Sequence, residues 1–476
     1  MNFTEHFFQN QDENIAYISN DKTISYGYLK KSTRKAIDYL ENHSIGHNDI
    51  VMIVLDDSYW FSALVLGCFA IGAKPFWPSP SYTVENLQSL IYSTKTKHIF
   101  CSKTHREKIK KLCDINFHYI EELENHKGLK TDILFHNHGA DETAMFLNTT
   151  GSMGMPKLIP HTMDTITKWT EIFNSAMDIQ QKDIIYCGPK ICFTYGFGIS
   201  LLSTLYVGAT AILHSETATP KKIEQVFKAY KPTYFFIVPT IAYLMNLKKI
   251  DIDLTPVKKI VSGGDYLNND TAQKFEKMYQ RRICAMIGQS ENFHFYLYND
   301  ESDSGVGTIG KPLPGVEIKI DNAVSDLDQI GELCVKSPFG GKSYFLDDTN
   351  TNTFENGWVR TRDLARITSQ NYVVYCGRVD NLTKINGQYV SPIEIENRLM
   401  DHPDIENCVI TVENSTGNKI LVANIVSPKK ISNLDIRQFL KDKIENYKIP
   451  KKTKQVDSLP TTWNGKKIRP KTDFVL

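Results

Sequence analysis

The sequence predicts an α/β protein: a large N-terminal domain of doubly wound sheets that carries a β subdomain, then a small α+β domain at the C-terminus. Three observations lead there. From residue 49 onward, short apolar runs alternate with helix-length amphipathic segments, the pattern of βαβ units and a largely parallel sheet. Beyond about residue 305 Gly and Pro punctuation becomes dense and strand patterns take over. After Gly377-Arg378-Val379-Asp380, about a hundred residues carry both helix and strand patterns in one compact unit.

In chain order, strands are expected at 50–55, 74–77 and 98–101, with helices at 59–71, 84–93 and 105–112. A short apolar strand, 144–147, leads into a turn, and 158–161 follows that turn ahead of a helical pattern. The alternation resumes with strands 184–187, 209–213, 234–238, 259–261 and 283–287; helices 200–207 and 221–229 and others stand between them. Strands 316–320 and 331–336 belong to the β subdomain. In the last unit, helix 394–400, strands 407–412 and 420–426 and helix 434–444 succeed one another. The domains are therefore drawn as 1–379 and 380–476. No internal repeat or low-complexity segment interrupts them.

Composition narrows the function. Hydrophobic residues at 41% and charged residues at 23% describe an ordinary globular chain, and a formal net charge of +1 supplies no global field for nucleic acid or an acidic membrane. An anionic ligand must be held locally. The opening Met1-Asn2-Phe3-Thr4-Glu5-His6 has neither a basic nor an apolar leader segment, so no secretory signal is expected. The uncharged run 58–73 is shorter than the ~20 residues of a membrane span and reads as a buried helix. Nine scattered cysteines without a Cys-x-x-Cys pair fit free thiols in a reducing, cytoplasmic setting. His136 and His138 stand in a polar loop without nearby cysteines, and no metal role is read there.

The turn after strand 144–147 reads Thr149-Thr150-Gly151-Ser152-Met153-Gly154-Met155-Pro156-Lys157. Such a hydroxyl- and glycine-rich turn can aim N–H groups and hydroxyls at phosphate, with a lysine adding charge. It is not a Walker loop, because no Gly-Lys-Ser/Thr closes it. Its order resembles the phosphate loop of the acyl-adenylate-forming enzymes: acyl- and aryl-CoA ligases, adenylation domains and luciferases. Further motifs follow in that family's order. Ser262-Gly263-Gly264 resembles the turn under the adenine. Gly288-Gln289-Ser290-Glu291 resembles Gly-x-Thr-Glu, and Trp358-Val359-Arg360-Thr361-Arg362-Asp363 resembles the Thr-Gly-Asp motif. Gly377-Arg378-Val379-Asp380 and Lys384-Ile385-Asn386-Gly387 resemble the hinge and the loop after it. Leu459-Pro460-Thr461-Thr462-Trp463-Asn464-Gly465-Lys466 resembles the motif with the catalytic lysine.

The resemblance implies roles. Thr149, Thr150, Gly151, Ser152, Gly154 and Lys157 would bind the ATP phosphates. Ser262, Gly263 and Gly264 would lie at adenine, Ser290 and Arg378 at the nucleotide, and Asp363 at both ribose hydroxyls. Glu291 would hold Mg²⁺. It also implies two half-reactions in one site: a small carboxylic acid and ATP give acyl-AMP and pyrophosphate, then a thiol displaces AMP. The small domain is mobile in the family and turns about the position of Asp380. Lys466 would serve the first step and Lys384 the second, while Gly387 would line the pantetheine tunnel, where a Cβ would narrow the passage. A carboxylate attacking a phosphate brings two anions together, which explains why positive charge must gather in a dry site.

No acidic residue lies between Ile191 and Leu213, where amino-acid-activating relatives carry one, so an α-amino acid is an unsuited substrate. Tyr195 and Gly196, with Gly288, His294 and Phe295, resemble the pocket of benzoate- and anthranilate-type CoA ligases, and a flat slot with one polar edge suits an aromatic ring. Met153, Leu158, Asp265, Ile287, Ser290 and Arg362 depart from the family's usual residues, yet none removes a charge that the chemistry needs. The expectation is an aryl- or acyl-acid:CoA ligase using ATP, Mg²⁺ and CoA. The nearest alternative loads the acid onto the phosphopantetheine of an acyl carrier protein, because both thiols end in the same arm. A non-catalytic nucleotide- or acyl-binding protein is the alternative of another class. The oligomeric state stays open.

Overall fold

The computed structural model describes residues 2–19, 22–112, 115–149, 157–299, 308–325, 329–346, 353–385, 388–415, 418–441 and 443–459. Its largest sheet has nine strands in the order Lys311–Pro312, Phe295–Tyr298, Cys284–Gly288, Lys259–Ser262, Tyr234–Ile237, Ile184–Cys187, Thr210–Leu213, Ile15–Ser19 and Lys22–Ser25. The run from Cys284–Gly288 to Ile15–Ser19 is parallel, and both edges are closed by antiparallel pairs. A second, parallel sheet orders Lys74–Phe76, Ile50–Val54, His98–Cys101 and Asn116–Tyr119. Strands buried on both faces read as continuous apolar runs, and Tyr234–Ile237 is buried throughout.

Helices start where the sequence supplies a cap. Ser58, Thr83, Thr162, Thr219 and Asn268 each accept an N–H of the first turn of the helix they open. Tyr59–Ile71 is buried almost all round, as its lack of charge predicts, and ends on Gly72 at φ 75°.

Two expectations change and one is filled in. The turn 150–156 joins Thr143–Thr149 to a second strand, Lys157–Thr162, antiparallel with Thr149 opposite Lys157. The two strands pair as a hairpin, and the helix Met163–Met177 follows them as expected, capped by Thr162. The helix expected at 200–207 is wound as a π-helix over Phe197–Ser203 before Thr204–Val207, with the Thr204 hydroxyl donating to the Ile199 carbonyl at 2.9 Å. The helix expected at 105–112 is only Arg106–Ile109 behind a short 3₁₀ turn, because one apolar side, Ile109 and Leu112, is all it has to bury.

The β subdomain is a five-stranded antiparallel sheet built on Glu317–Ser325, Ile330–Lys336, Trp358–Ile367 and Val373–Arg378, with Phe354–Glu355 at its edge. Residues beyond it gather a core of their own, including Ile395, Leu399, Ile410, Leu421 and Ile436. There the helices Pro392–Leu399 and Asn433–Leu440 lie with the strands Asn407–Ser415, Asn418–Val426 and Lys452–Gln455. The fully buried Lys448 ammonium is held by Glu394 at 2.7 Å and Glu445 at 2.8 Å, the pairing a buried charge requires. This unit sits on the subdomain through its first helix: Ser391 donates to the Cys376 carbonyl at 2.5 Å and Asn397 to that of Tyr375 at 3.2 Å.

Candidate active site

A cleft of about 350 Å³ opens at the C-terminal ends of the parallel strands, where ligands of open α/β sheets bind. Thr149, Tyr195, Gly264, Gly288, Ser290, Glu291, His294, Phe295 and Arg378, all expected from the sequence, line it together. A smaller cleft of about 130 Å³ holds Asp363 and Asp265 and meets the first at Gly264, Gly288 and Arg378.

The apolar end of the cleft is built by packing. The His294 ring is buried between Tyr195, Trp169 and Phe295, with the Trp169 ring centroid 4.2 Å away. Its Nε2–H donates to the Tyr195 carbonyl at 3.3 Å, while Nδ1 has no partner among the described residues. Burial lowers its pKa to about 3, so the ring is neutral. A Cβ on Gly198 would lie 2.2 Å from His294 Nε2, and one on Gly263 would lie 2.5 Å from the Phe295 ring. The two rings occupy hollows that only glycine leaves open. Trp169 donates its indole N–H to the Phe295 carbonyl at 3.1 Å and fixes that strand.

Two glycines and a hydroxyl of this end are also engaged by the protein itself. Gly288 lines the cleft, but a Cβ on it would meet the His294 carbonyl oxygen at 2.5 Å, so the hairpin needs its bareness as much as any ring lying on it. Gly196 faces the backbone of Lys190, whose oxygen a Cβ would approach to 2.1 Å. The Tyr195 hydroxyl donates to the carbonyls of Ile237 and Val261, each at 3.1 Å. The polar edge of the slot is therefore left to His294.

The charged end is held by charges. Glu291 is partly buried, and that desolvation raises its pKa; the Tyr344 hydroxyl, donating at 2.9 Å, and the charges of Arg378 and Lys157 oppose it. The Lys157 ammonium lies 4.6 Å over the same Tyr344 ring, so one tyrosine serves both an expected cation and an expected anion. The Ser290 hydroxyl is 3.0 Å from that of Thr194, and His161 donates Nε2–H to the Ser290 carbonyl at 3.0 Å. Arg378 donates to Asp363 at 3.0 Å. Burial nevertheless raises the Asp363 carboxyl to about 7, the guanidinium offsetting only part of that cost.

Asp380 lies in the short turn Val379–Asn381 between the β subdomain and the last unit. Arg362 grips it with Nε, at 3.1 Å, and Nη2, while Arg378 reaches it at 3.5 Å. These bonds, led by that to Arg362, lower the Asp380 pKa. Arg362 does this from φ 61°, a left-handed backbone that favours glycine and costs another residue ~1–2 kcal/mol. Its N–H is held by Glu332 at 3.1 Å.

Ser262 and Gly263 lie just behind the cleft wall; the Ser262 hydroxyl is buried without a partner among the described residues. The backbone of Lys384 lies in the strand Thr383–Ile385, opposite Tyr389. Thr150, Gly151, Ser152, Met153, Gly154, Gly387 and Lys466 lie outside the described residues.

Sequence reasoning missed Trp169, Tyr344, His161, and the stacked pair Tyr266 and Tyr375, 4.9 Å apart at the rim of the smaller cleft. Tyr266 also donates to Asn397 at 3.2 Å, tying the large sheet's loop to the helix Pro392–Leu399. None of these stands in a motif; only tertiary contact reveals them.

Comparison with known proteins agrees with this geometry. The AMP-binding enzyme family matches residues 4–345, and the AMP-binding enzyme C-terminal domain matches residues 394–466. A benzoate–CoA ligase of Thauera aromatica is 29% identical over 348 residues, 68% of this chain and 64% of that protein. A 4-hydroxybenzoate–CoA/benzoate–CoA ligase of Rhodopseudomonas palustris is 24% identical over 492 aligned positions, 95% of this chain and 89% of that protein. Among solved structures, an anthranilate CoA ligase in complex with anthranoyl-AMP superposes with a TM-score of 0.84 at 22% identity, covering 98% of this chain and 95% of that one. A benzoate CoA ligase from Burkholderia xenovorans gives 0.82 at 24% identity, covering 98% of each chain. With that family matched over residues 4–345, well over half of its length, the chain belongs to the AMP-binding enzymes.

Proposed function

We propose that this protein activates an aryl carboxylic acid of the benzoate type with ATP and transfers the acyl group to the thiol of CoA. One observation carries the reading: a neutral aromatic slot, Tyr195–His294–Phe295, shares a cleft with Ser290, Glu291 and Arg378 and opens onto Asp363. Relatives named for benzoate, hydroxybenzoate and anthranilate support the acid class.

The residues present suit the groups that the reaction needs. Glu291 offers hard carboxylate oxygens near Lys157, as Mg²⁺ prefers, and Gln289 Nε2 and His294 Nδ1, without a partner among the described residues, belong to residues that line the cleft. Mg²⁺, when bound, neutralises charge on the departing pyrophosphate. Asp363 would accept from the ribose hydroxyls, and Lys157 and Arg378 would face the phosphates. The acid's carboxylate oxygen forms a bond to the α-phosphorus as the bond to pyrophosphate breaks, and Lys466 would stabilise the charge gathering there. In the second step the CoA sulfur bonds the carbonyl carbon and AMP leaves. Lys384 and Gly387 would serve this step after residues 380–476 turn against residues 1–379 about Asp380. A reducing compartment such as the cytoplasm suits the eight described cysteines, all buried and free.

ATP–pyrophosphate exchange with a panel of acids tests the activation and the acid together. Aryl acids are expected to lead. A saturated acid of equal size beating every aryl acid in kcat/KM overturns the aryl assignment while keeping the adenylation. Turnover with free CoA against holo carrier protein then decides the thiol.

A further inference from the structure

At the end of the strand Thr143–Thr149 away from the phosphate turn, the fold brings His47 to His136 and Glu142, a pair 6 residues apart in sequence of which Glu142 lies 95 residues from His47. The His47 and His136 Nε2 atoms lie 3.0 and 2.8 Å from the same oxygen, Glu142 Oε1. All three candidate ligand atoms fall within 4.8 Å of one another. We propose that these residues form a binding site for a divalent first-row transition metal, of which Zn²⁺ is the representative, and that the metal fastens the loop before this strand to the sheet.

The donor set is right for such an ion. Two imidazole nitrogens and one carboxylate oxygen are a familiar zinc trio, and water completes the shell on the solvent side, where His47 is half exposed. Tetrahedral bonds of ~2.0–2.1 Å put ligand atoms about 3.4 Å apart, so the oxygen–nitrogen separations need to open by only a few tenths of an ångström. The ring N–H protons now on Nε2 would pass through solvent to Nδ1, freeing the Nε2 lone pairs for the metal.

The surroundings hold the ligands in place, as outer-shell partners do at metal sites. The Gly139 N–H donates to Glu142 Oε2 at 2.9 Å and leaves Oε1 to the histidines. The Asn48 amide nitrogen lies 3.2 Å from His47 Nδ1, and a turn of that amide would offer its oxygen to the Nδ1–H of the metal-bound ring; the His136 backbone N–H donates to the Ala70 carbonyl at 2.8 Å. Gly72 makes the approach of the two rings feasible: a Cβ there would lie 2.8 Å from His136 and 2.9 Å from His47.

The site has a structural use. Residues 126–142 connect the helix Ile120–Asn125 to the strand without a helix or strand of their own. A connection of that length needs fastening. Seven strand residues, about 20 Å, separate this cluster from the phosphate turn, so the metal would act on stability and not on chemistry.

The test uses chelator-treated full-length protein and Zn²⁺ alone, followed by calorimetry and by thermal melting, with Co²⁺ absorbance reporting the ligand field. One equivalent of Zn²⁺ is expected to bind the wild type and to raise its Tm. Glu142→Gln and His47→Ala should each weaken binding by tenfold or more and abolish the Tm rise, without altering ATP–pyrophosphate exchange. His47 is exposed enough that its variant should fold. Wild-type affinity no tighter than that of His47→Ala, or a Zn²⁺-induced Tm rise that survives in both variants, overturns the proposal.

Discussion

The two ends of the cleft are built on opposite principles. At the apolar end, Tyr195, His294 and Phe295 are uncharged and are fixed by backbone carbonyls, an indole and glycine hollows from the large sheet and the helices beside it. At the charged end, Glu291, Asp363, Arg378, Arg362 and Asp380 hold one another, and they come from the sheet, the β subdomain and the linking turn. Packing confines a change to its neighbours, whereas mutual charges pass it along. The first end should answer to shape alone, the second to charge, pH and the position of the last unit.

The largest expected effect lies at the charged end. Glu291→Gln keeps the shape and removes the charge, and should slow acyl-adenylate formation by ~10²-fold or more, measured by pyrophosphate exchange, with acid binding unchanged. Lys466→Ala should lose a similar amount and spare thioester formation from supplied acyl-adenylate; Lys384→Ala should do the reverse. Equal damage to both half-reactions in both lysine variants would refute that division.

The pH profile separates the ends next. Asp363 has its pKa raised to about 7 by burial. Its sign is that of a raised acid: the protonated form favours the folded, nucleotide-free protein below the ordinary carboxylate range, and that stability is lost as pH rises through 7. Only the ionised form accepts both ribose hydroxyls. ATP affinity should therefore fall about tenfold between the alkaline limit and pH 6, and Asp363→Asn should flatten the profile. The preference among aryl acids should stay constant over the same range, because His294, at about 3, remains neutral. A preference that titrates near neutrality would break the contrast.

A smaller effect is confined to the slot. The unpartnered His294 Nδ1 is an acceptor, and a buried polar group left unpaired costs ~1–3 kcal/mol. An amino- or hydroxybenzoate that donates to it should be preferred over benzoate by about tenfold. His294→Ala should erase that preference more than it lowers kcat/KM on benzoate.

The smallest concerns Arg362. Glycine there relieves a left-handed backbone worth ~1–2 kcal/mol and gives up a partly exposed ion pair worth up to ~1 kcal/mol. Chemical denaturation of Arg362→Gly should shift by about 1 kcal/mol or less, while the ratio of the two half-reaction rates changes because Asp380 is released.

The sequence carried the sheet order's ingredients, the cleft residues and their grouping, because each motif sits at a strand end and strand ends of a parallel sheet converge. It did not carry the hairpin after Thr149, since Leu158, Ile159 and His161 spell an apolar run without saying what pairs with it. It did not carry the π-helix Phe197–Ser203, whose Gly198 lies against the His294 ring. Nor did it carry the use of the Tyr195 hydroxyl or the approach of His47 to His136 and Glu142, each a matter of partners dozens of residues away.

The rings seated on glycine have a consequence for how this protein can change over generations. A larger side chain at 198 collides with His294 unless position 294 has already shrunk, and a smaller residue at 294 leaves a hollow until position 198 has grown. Positions 263 and 295 are tied in the same way. Each single step passes through an overpacked or a hollow intermediate costing ~1–5 kcal/mol. New substrates should thus be reached through paired substitutions, and a library that varies one position at a time will find the slot more stubborn than its chemistry requires.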